Sequence, residues 1–367
     1  AGQHIAQLDE VFGPIAAVYG DRLRLSFSGG FDSRLILAML LRHGVRPTLF
    51  VYGDDDDEDV RIARQICAAE SLDLQCVDKD SAVVDPGMFE QRLRTDLYAF
   101  DGWKVEQTLF DFGVDRDDRL ARHRDGRVPL NGSLGEIYRN FHYMPDRPAR
   151  AEDVVSTFYS QYDPRSFSRR FDESRYRTLL AAAMRDAIGA ADGRLARHQI
   201  EALYPKFRGR AWTGRDAQIN QRFGPMFFPF LEHTAANNTA GIPIRYKDLG
   251  LLQGRMIELV HARLAAYPSD YGFPLSGPRP WRYRLKTRLG TWRPPALRKL
   301  SFRLKVRSPT PRIGALSDEF LGRVMDPTLP LMGQLFRLER VFSLDQFGRI
   351  VSLEYLGQHC GLELPPA

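Results

Sequence analysis

One short segment of the chain carries the residue types best suited to phosphate chemistry. Ser28-Gly29-Gly30-Phe31-Asp32-Ser33 places two glycines, two hydroxyls and one carboxylate between an apolar run and a helical pattern. Glycines let the backbone approach a ligand, and the free N–H groups at a helix start bind phosphate. Ser28 and Ser33 add hydroxyl donors. Because a carboxylate repels phosphates unless a cation lies between them, Asp32 is predicted to be a Mg²⁺ ligand.

The same six residues match the SGGxDS signature, so the chain resembles the PP-loop ATP pyrophosphatases. The resemblance implies an adenine-nucleotide α-hydrolase-like fold. It also implies cleavage of ATP to AMP and pyrophosphate while a substrate group is activated, mostly by adenylation. The signature belongs to the whole superfamily and selects no branch within it. The plainer interpretation, a tight turn capped by Ser or Asp, is common for an isolated Ser-Gly-Gly.

A second segment, Asn131-Gly132-Ser133-Leu134-Gly135-Glu136, resembles the S-G-x-G-x-D-E loop of asparagine synthetases, β-lactam synthetases and lasso-peptide cyclases. The resemblance implies that Asn131 and Gly132 contact the nucleotide and that Glu136 joins Asp32 in holding Mg²⁺. Two carboxylates holding a cation could neutralise a departing pyrophosphate. Leu134 stands where the family has its second glycine, and an ordinary glycine loop is the alternative.

A third segment, Pro229-Phe230-Leu231-Glu232, resembles the R-x-P-F-L-D segment that lines the acceptor side of the family's site. Phe227 stands where the family has its arginine. The aromatic residues suit a buried loop in either interpretation. Glu232 is therefore the one residue here that we expect to take a polar part on the substrate side.

A fourth segment departs from the family pattern at the residue that matters most. Gly272-Phe273 resembles the glycine and phenylalanine of R-x-K-x-G-F-x-x-P, but Ser269 or Asp270 occupies the lysine position. In the family, that lysine steadies the adenylate and pyrophosphate. The resemblance therefore requires a substitute cation, for which Lys247, Lys286 and the arginines of the following stretch are candidates, or it implies impaired adenylation. Lys286 is the first choice.

Residues 279–307 contain eleven Lys or Arg residues and no acidic residue, with Trp281, Tyr283, Trp292 and Phe302 interleaved. A charge run this one-sided repels itself and gains from an anionic neighbour. We expect part of it to close over the active site and to supply the missing cation. A solvated surface is the plainer alternative. A third interpretation is an RNA-binding surface, since cations interleaved with aromatics are typical of such surfaces.

Secondary-structure elements must position these segments. The periodicity of the apolar residues predicts strands that alternate with helices. Strands are predicted at Leu23–Phe27, Thr48–Tyr52 and Leu72–Val77, with a helix from Ser33 to Gly44 and another at Asp59–Glu70. Short connections between them predict an α/β fold, a parallel sheet with helices on both faces. Ligands bind beyond the carboxyl ends of such strands.

The segment Ser28–Ser33, which we call the phosphate loop, and the acidic run 54–59 fall at two such strand ends. The resemblance places Ser26 and Tyr52 where family residues present their backbone to adenine. The acidic run suits a solvated helix start better than a Ca²⁺ site. Residues 1–150 are predicted to form the ATP-binding core. Residues 151–367 are predicted to form a mainly helical region, with helical patterns in 150–200 and 249–266.

Composition sets the class of protein. The chain has 367 residues, of which 43% are hydrophobic and 27% charged, as expected of a soluble globular protein. It has no apolar run long enough for membrane insertion, which needs about 18 residues, and its start does not resemble a signal peptide. Cys67, Cys76 and Cys360 form no CxxC pair, which favours a cytoplasmic, reducing setting. The net charge of +6 suits nucleic acid, an anionic membrane surface or phosphorylated small molecules equally.

Three functions remain open on the sequence alone. The first is an amide-forming ligase that adenylates a small-molecule or peptide carboxylate for attack by an amine or ammonia. The second is a tRNA-modifying enzyme of the lysidine-synthetase type, and the third is a binding subunit with impaired chemistry. The family's glutaminase needs a Cys at its first residue, and no Cys lies near the start here. We expect the nitrogen to come from ammonia, a substrate amine or a separate partner protein that delivers amine or substrate.

Overall fold

The computed structural model describes residues 1–79, 83–298 and 312–364. Its central feature is a four-stranded sheet with the order β3-β2-β1-β4, in which every neighbouring pair is parallel. The strands are β1 (Leu23–Ser26), β2 (Thr48–Tyr52), β3 (Leu74–Val77) and β4 (Val128–Leu130). A two-stranded antiparallel ribbon is formed by β5 (Ala149–Arg150) and β6 (Arg194–Leu195). The parallel sheet with its flanking helices confirms the predicted α/β class.

The helices that follow β1 and β2 are those predicted from the periodicity. They are α2 (Phe31–Arg42) and α3 (Glu58–Glu70). The α2 segment is buried almost all round, because α1 (Gly2–Tyr19) and α12 (Leu251–Val260) both contact it. That explains its nearly continuous run of apolar residues. A helix held by neighbours on several sides gives the phosphate loop a rigid base.

The fourth strand, β4, is absent from the predicted elements. It has only three residues with Pro129 in the middle, so it offers no periodic signal. It pairs with β1 on one side, and Phe227 lies along its other side. The Phe227 N–H donates to the Pro129 carbonyl at 2.9 Å, and the Asn131 N–H donates to the Phe227 carbonyl at 2.9 Å. Residues 131–136, which we call the second loop, follow this strand. The strand therefore carries them to the same sheet edge as the phosphate loop.

The chain forms two compact units, and each is built from three segments. The first unit comprises Ala1–Ser81, Arg119–Ala151 and Ala183–Arg293, and the second comprises Ala82–Asp118, Glu152–Ala182 and Pro294–Ala367. This division differs from the expected single boundary at residue 150, because the chain leaves the first unit and returns to it twice. Every residue assigned to the site from sequence lies in the first unit.

The remaining helices make the rest of the chain mainly helical, as predicted. They are α4 (Phe89–Ala99), α5 (Val114–Ala121), α6 (Ala151–Phe158), α7 (Glu173–Ile188), α8 (Arg197–Leu203), α9 (Gly214–Asn220), α10 (His233–Ala236), α11 (Ile244–Lys247), α13 (Ala262–Ala266), α14 (Trp281–Trp292), α15 (Asp318–Leu321) and α16 (Leu344–His359). A π-helical segment, Tyr204–Thr213, joins α8 to α9. Within the described residues, no helix has both the length and the apolar character needed to cross a membrane.

The predicted helix over 249–266 is two helices in the structure. His261 separates α12 from α13, and its imidazole Nδ1 accepts the Leu264 N–H at 3.2 Å as an N-terminal cap. The apolar periodicity continues across this break, and neither Gly nor Pro marks it. The pattern of apolar residues therefore could not predict this break.

Candidate functional site

The phosphate loop has the backbone geometry that its glycines predict. Gly29 has a φ of +74°, which residues with a side chain rarely adopt. A Cβ there would lie 2.5 Å from the Ile62 Cγ2 atom, so α3 approaches the loop too closely for any side chain. The Gly30 N–H donates to the Ser28 hydroxyl at 3.4 Å, and that hydroxyl lies 3.5 Å from the Ser33 hydroxyl. The loop then enters α2 directly.

The guanidinium of Arg34 holds the phosphate loop by a hydrogen bond to its backbone. Arg34 is fully buried, and it donates to the carbonyl of Gly29 and to those of Leu264, Tyr267 and Pro268 at 3.0, 2.9 and 2.7 Å. Burial lowers the pKa of Arg34 to about 10, against the opposing influence of a nearby carboxylate. Arg34 is not among the residues predicted from sequence, because an arginine in an apolar helical run of an Arg-rich chain does not stand out. Its contacts bind the loop to the segment that precedes Ser269.

The second loop packs against Asp32 through its glycines. A Cβ on Gly135 would overlap the Asp32 carboxylate, and one on Gly132 would lie 3.1 Å from the Asp32 Cβ. Leu134, at the position of the family's glycine, has a φ of +76°, and its side chain packs where a Cβ on Gly209 would meet it at 2.9 Å. The expected convergence of the two loops therefore occurs, with glycines at the points of contact.

The Arg139 guanidinium lies between Asp32 and Glu136, the two residues predicted to bind Mg²⁺. The Arg139 guanidinium donates to Asp32 Oδ2 at 2.5 Å, lies 3.5 Å from Glu136 Oε1, and donates to the Tyr271 hydroxyl at 3.0 Å. It also lies over the Phe31 ring, 5.4 Å from its centroid. Burial disfavours its charge, but the carboxylates of Asp32 and Glu136 outweigh burial and raise the pKa of Arg139. Nothing in its sequence neighbourhood distinguishes this arginine from the many others in the chain.

Asp32 and Glu136 each have a further hydrogen-bond donor. The Gln253 amide donates to Asp32 Oδ1 at 2.7 Å, and the Tyr204 hydroxyl donates to Glu136 Oε2 at 2.6 Å. Burial raises the pKa of Asp32 to about 6, although Arg139 and Gln253 both act to lower it. Burial also raises the pKa of Tyr204, and the adjacent Glu136 carboxylate adds to the effect.

The position of the missing lysine holds a third carboxylate that faces the phosphate loop. The Asp270 carboxylate oxygens lie 3.7 and 3.9 Å from the point that a Cβ on Gly30 would occupy. Burial raises the pKa of Asp270 to about 6, and the Asp59 carboxylate raises it further, although more than a third of the Asp270 surface is open to solvent. An unpaired group in this position would repel phosphates. The positive charges of Arg139 and Arg34 act to lower its pKa.

Neither lysine considered as a substitute contacts these carboxylates. The Lys247 ammonium is buried and paired with Glu201 at 2.5 Å, and burial lowers its pKa. Lys286 lies on the solvent side of α14. The structure therefore corrects the expected placement of the cation: Arg139, and not Lys286, contacts Asp32. Residues 299–307 of the basic stretch lie outside the described residues.

The predicted Mg²⁺ site does not fit a metal ion as it is arranged. Asp32 and Glu136 offer oxygen donors of the right chemistry, but the Arg139 guanidinium already bridges them, and Gln253 and Arg139 donate to the two Asp32 oxygens. Across the part of the chain that the structure describes, no group of three or more His, Cys, Asp and Glu side chains is placed to hold a metal. An ion at Asp32 requires the guanidinium to move first.

The other residues selected from sequence lie around this centre or away from it. Ser26 and Tyr52 end the adjacent strands β1 and β2, and the Lys79 ammonium lies 4.6 Å from the centroid of the Tyr52 ring. The Asn131 side chain accepts the Ser133 N–H at 2.7 Å, which shapes the second loop. Glu232 is exposed at the start of α10. The structure thus brings Gly132 and Gly135 of the second loop against Asp32 of the first. Glu232 and Lys286 lie at exposed positions.

A cavity of about 1370 Å³ adjoins the second loop. Leu134 and Leu252 line it, and their chain neighbours Gly135 and Gln253 lie against Asp32. The phosphate-loop residues themselves do not line it. Its wall includes His198, Lys206, His233 and Arg255, and no Asp or Glu among the described residues. The cavity therefore suits an anionic or polyhydroxylated molecule better than a cationic one.

Comparison with known proteins adds little to this geometry. No protein-family model matches the chain, and no curated protein matches it at a significant level. Among solved structures, the chain is similar to NMN synthetase from Francisella tularensis, with 10% sequence identity and a TM-score of 0.26, over 60% of this chain and 94% of that one. A likeness of this size supports neither a fold family nor an activity. The α/β class rests on the observed sheet.

Proposed function

We propose that this chain is an ATP-dependent ligase that binds ATP at residues 28–33 and adenylates a carboxylate substrate. The observation that carries the proposal is the convergence of two glycine loops on Asp32, with the Arg139 guanidinium, whose side chain is 17% exposed, among three carboxylates. A helix start with exposed N–H groups is a phosphate site, and Ser28 and Ser33 add hydroxyl donors. Ser26 and Tyr52, at neighbouring strand ends, are proposed to present backbone groups to the adenine.

The proposed reaction has two steps. A substrate carboxylate oxygen attacks the α-phosphorus of ATP, and the bond from that phosphorus to the bridging oxygen breaks, so that pyrophosphate leaves with the electron pair. An amine or ammonia then attacks the acyl carbon of the adenylate, loses a proton, and expels AMP to leave an amide. Holding both reactants in one site supplies proximity.

Arg139 is the residue proposed to balance charge during the first step. Asp32, Glu136 and Asp270 all face the loop region, and uncompensated carboxylates would oppose a triphosphate. A partly buried cation that is already oriented by its partners needs little reorganisation when charge develops on the departing pyrophosphate. Mg²⁺ was expected at Asp32 and Glu136. Because Arg139 would have to release Asp32 first, no step of the proposal passes through a metal ion.

The proposed carboxylate substrate is a small molecule or a peptide that enters the cavity beside the second loop. Two residues that line this cavity, Leu134 and Leu252, are chain neighbours of residues that lie against Asp32, and its cationic and amide lining suits an anion. The amine or ammonia completes the reaction, and a separate protein can deliver either component. Glu232 takes no part in this proposal, since it is exposed and does not line the cavity.

Gly30→Ala tests the site with little disturbance of the fold. Gly30 has an ordinary φ of −74°, and a Cβ there meets the Ser28 hydroxyl at 3.5 Å, which is normal contact. The methyl group would occupy the surface at which a phosphate approaches the backbone. We expect the variant to keep its stability and to bind ATP at least tenfold more weakly in calorimetric titration. Unchanged ATP affinity would place the nucleotide elsewhere.

Asp270 at the lysine position is the observation that favours an alternative, a binding subunit with impaired chemistry. A carboxylate there does not replace the charge that the family lysine supplies. The two functions differ in one measurement, because an impaired subunit would bind ATP through residues 28–33 but form no AMP with any carboxylate tested. Asp270→Lys is the matched variant. A gain of AMP formation on this change would favour the impaired subunit, and a loss would favour Arg139 as the working cation.

A further inference from the structure

The α14 helix presents its apolar side chains to solvent. Trp281, Leu285, Leu289 and Trp292 are 68%, 48%, 63% and 71% exposed, and their spacing of three and four residues places them on one helical face. We call these four residues the α14 stripe. A surface helix normally turns its apolar face to the core. An apolar face that points outward indicates an interaction site.

The opposite face of α14 is the one that packs against the protein. Thr291 is buried, Thr287 is half-buried, and the half-buried Tyr283 ring lies 4.7 Å from the Phe273 ring, measured between centroids. The helix is thus anchored by an aromatic ring and two hydroxyl-bearing side chains. Its orientation is therefore set by tertiary contacts.

Cations flank the α14 stripe on both sides. At 100° per residue, Arg284 and Arg288 fall on one side of the stripe and Arg282 and Lys286 on the other. No carboxylate within the described residues pairs with these four cations, and α14 contains no acidic residue. Long basic side chains beside an apolar stripe can extend to lipid headgroups while the stripe enters the apolar layer.

A cavity of about 420 Å³ lies beside the α14 stripe. It is lined by Trp281, Leu285 and Trp292 together with Arg284 and Arg288. Asp248 also lines it, but its carboxylate accepts a hydrogen bond from the Asn140 amide at 2.8 Å. An apolar wall beside two guanidinium groups suits a molecule with an acyl part and an anionic head.

We infer that α14 docks this protein on an anionic lipid surface, with the α14 stripe at the headgroup boundary. Two Trp residues at the ends of the stripe are typical of the membrane interface, and two Leu residues between them gain from the apolar layer. RNA recognition would use aromatic rings for stacking, but it gives exposed leucines no role. This inference does not depend on the proposed ligase activity.

Vesicle flotation with the purified full chain tests it. We expect binding to phosphatidylcholine vesicles with about 30 mol % phosphatidylglycerol, little binding to phosphatidylcholine alone, and weaker binding at high salt. Leu285→Ser with Leu289→Ser should lower the partition coefficient at least tenfold. The matched control is Leu179→Ser on α7, a leucine that is 59% exposed, and it should leave binding unchanged.

Variants that reverse the charge of the cations on α14 provide a second test of vesicle binding. Each cation near an anionic surface typically contributes about fivefold to binding, so Arg282→Glu with Lys286→Glu should reduce binding to anionic vesicles by at least 25-fold. Arg175→Glu, an exposed arginine of α7, is the control. Reductions of equal size in the control variants would overturn the inference.

Other occupants of the α14 stripe give different results. Retention of RNA at physiological salt, without vesicle binding, would make α14 a nucleic-acid surface. A dimer in solution that the two serine substitutions dissociate would make the stripe a contact between copies of this chain. Either result overturns docking to lipid. Activity assays with the same variants report separately on the ligase, since none of these residues contacts the phosphate loop.

Discussion

The close approach of α3 to the phosphate loop predicts that Gly29→Ala is far more costly than a similar change elsewhere. Gly29 and Gly44 have nearly equal φ values, +74° and +75°. A Cβ at Gly29 would lie 2.5 Å from the Ile62 Cγ2 atom, whereas a Cβ at Gly44 would meet nothing within 4 Å. The two positions therefore share backbone strain, and only one of them has a steric clash.

The expected magnitudes follow from those two terms. Placing a side chain at a left-handed backbone position costs about 1–2 kcal/mol, so Gly44→Ala should lose roughly that much free energy of unfolding. Gly29→Ala adds overpacking against Ile62, which typically costs about 1–3 kcal/mol. Its total should therefore be about 2–5 kcal/mol. Because the loop must shift to relieve the clash, ATP affinity should fall as well, which Gly44→Ala should not cause.

Urea denaturation of the two variants, with calorimetric titration of ATP, measures both effects. The double variant Gly29→Ala with Ile62→Ala removes the clashing methyl group. A double-mutant cycle should then show a favourable coupling of at least about 1 kcal/mol. Equal losses for Gly29→Ala and Gly44→Ala, together with zero coupling, would show that the Ile62 side chain does not clash with a side chain at position 29.

Three further outcomes follow from buried charges. Arg139→Ala should weaken ATP binding roughly 100-fold in titration calorimetry, because it leaves Asp32 without its guanidinium, and adding Asp32→Asn should recover most of the loss. No recovery would mean that Arg139 does not act through Asp32. Lys104→Ala should lower the free energy of unfolding by about 3 kcal/mol, since the buried ammonium contacts Asp96 at 3.3 Å and Asp111 at 2.6 Å; a loss under about 1 kcal/mol in urea would contradict a stabilising pair. Burial raises the pKa of Asp96 to about 6, above its usual value of about 3.9. The folded state therefore holds this proton more tightly, and stability should fall as the pH rises from about 4 to about 6, by at most about 3 kcal/mol. Asp96→Asn should flatten that part of the profile, and an unchanged slope would assign it to other groups.

The sequence identified the elements whose signals are local. Thr48–Tyr52 is a strand as predicted, because a buried parallel strand is a short run of β-branched and aromatic residues between turns. The two glycine loops can also be recognised from sequence. Only glycine allows the backbone of the second loop to approach Asp32 as closely as it does in the structure. Gly132 and Gly135 lie against Asp32, and the Arg139 guanidinium links Asp32 to Glu136.

What the sequence could not supply depends on tertiary contacts. Arg139 becomes the central cation only because β4 brings the second loop beside the first, and β4 itself is a three-residue strand with no periodic signal. Gln253 reaches Asp32 from a helix more than 200 positions away in the chain. Lys286 lies in a basic run, which favours it as the missing cation, but the helix that carries it turns that side chain to solvent. Partners at such distances leave no local pattern.

We propose above that the two loops at Asp32 activate a carboxylate with ATP. The direct measurement is exchange of labelled pyrophosphate into ATP by the purified chain, over a panel of small carboxylates and carboxylate-bearing peptides, with the nucleotide products separated. We predict exchange that requires a particular carboxylate, AMP as the product, and a rate at least 100-fold lower in Gly30→Ala, in keeping with the charge stabilisation that such loops supply. Formation of ADP in proportion to turnover, or exchange that Gly30→Ala leaves unchanged, would contradict the account.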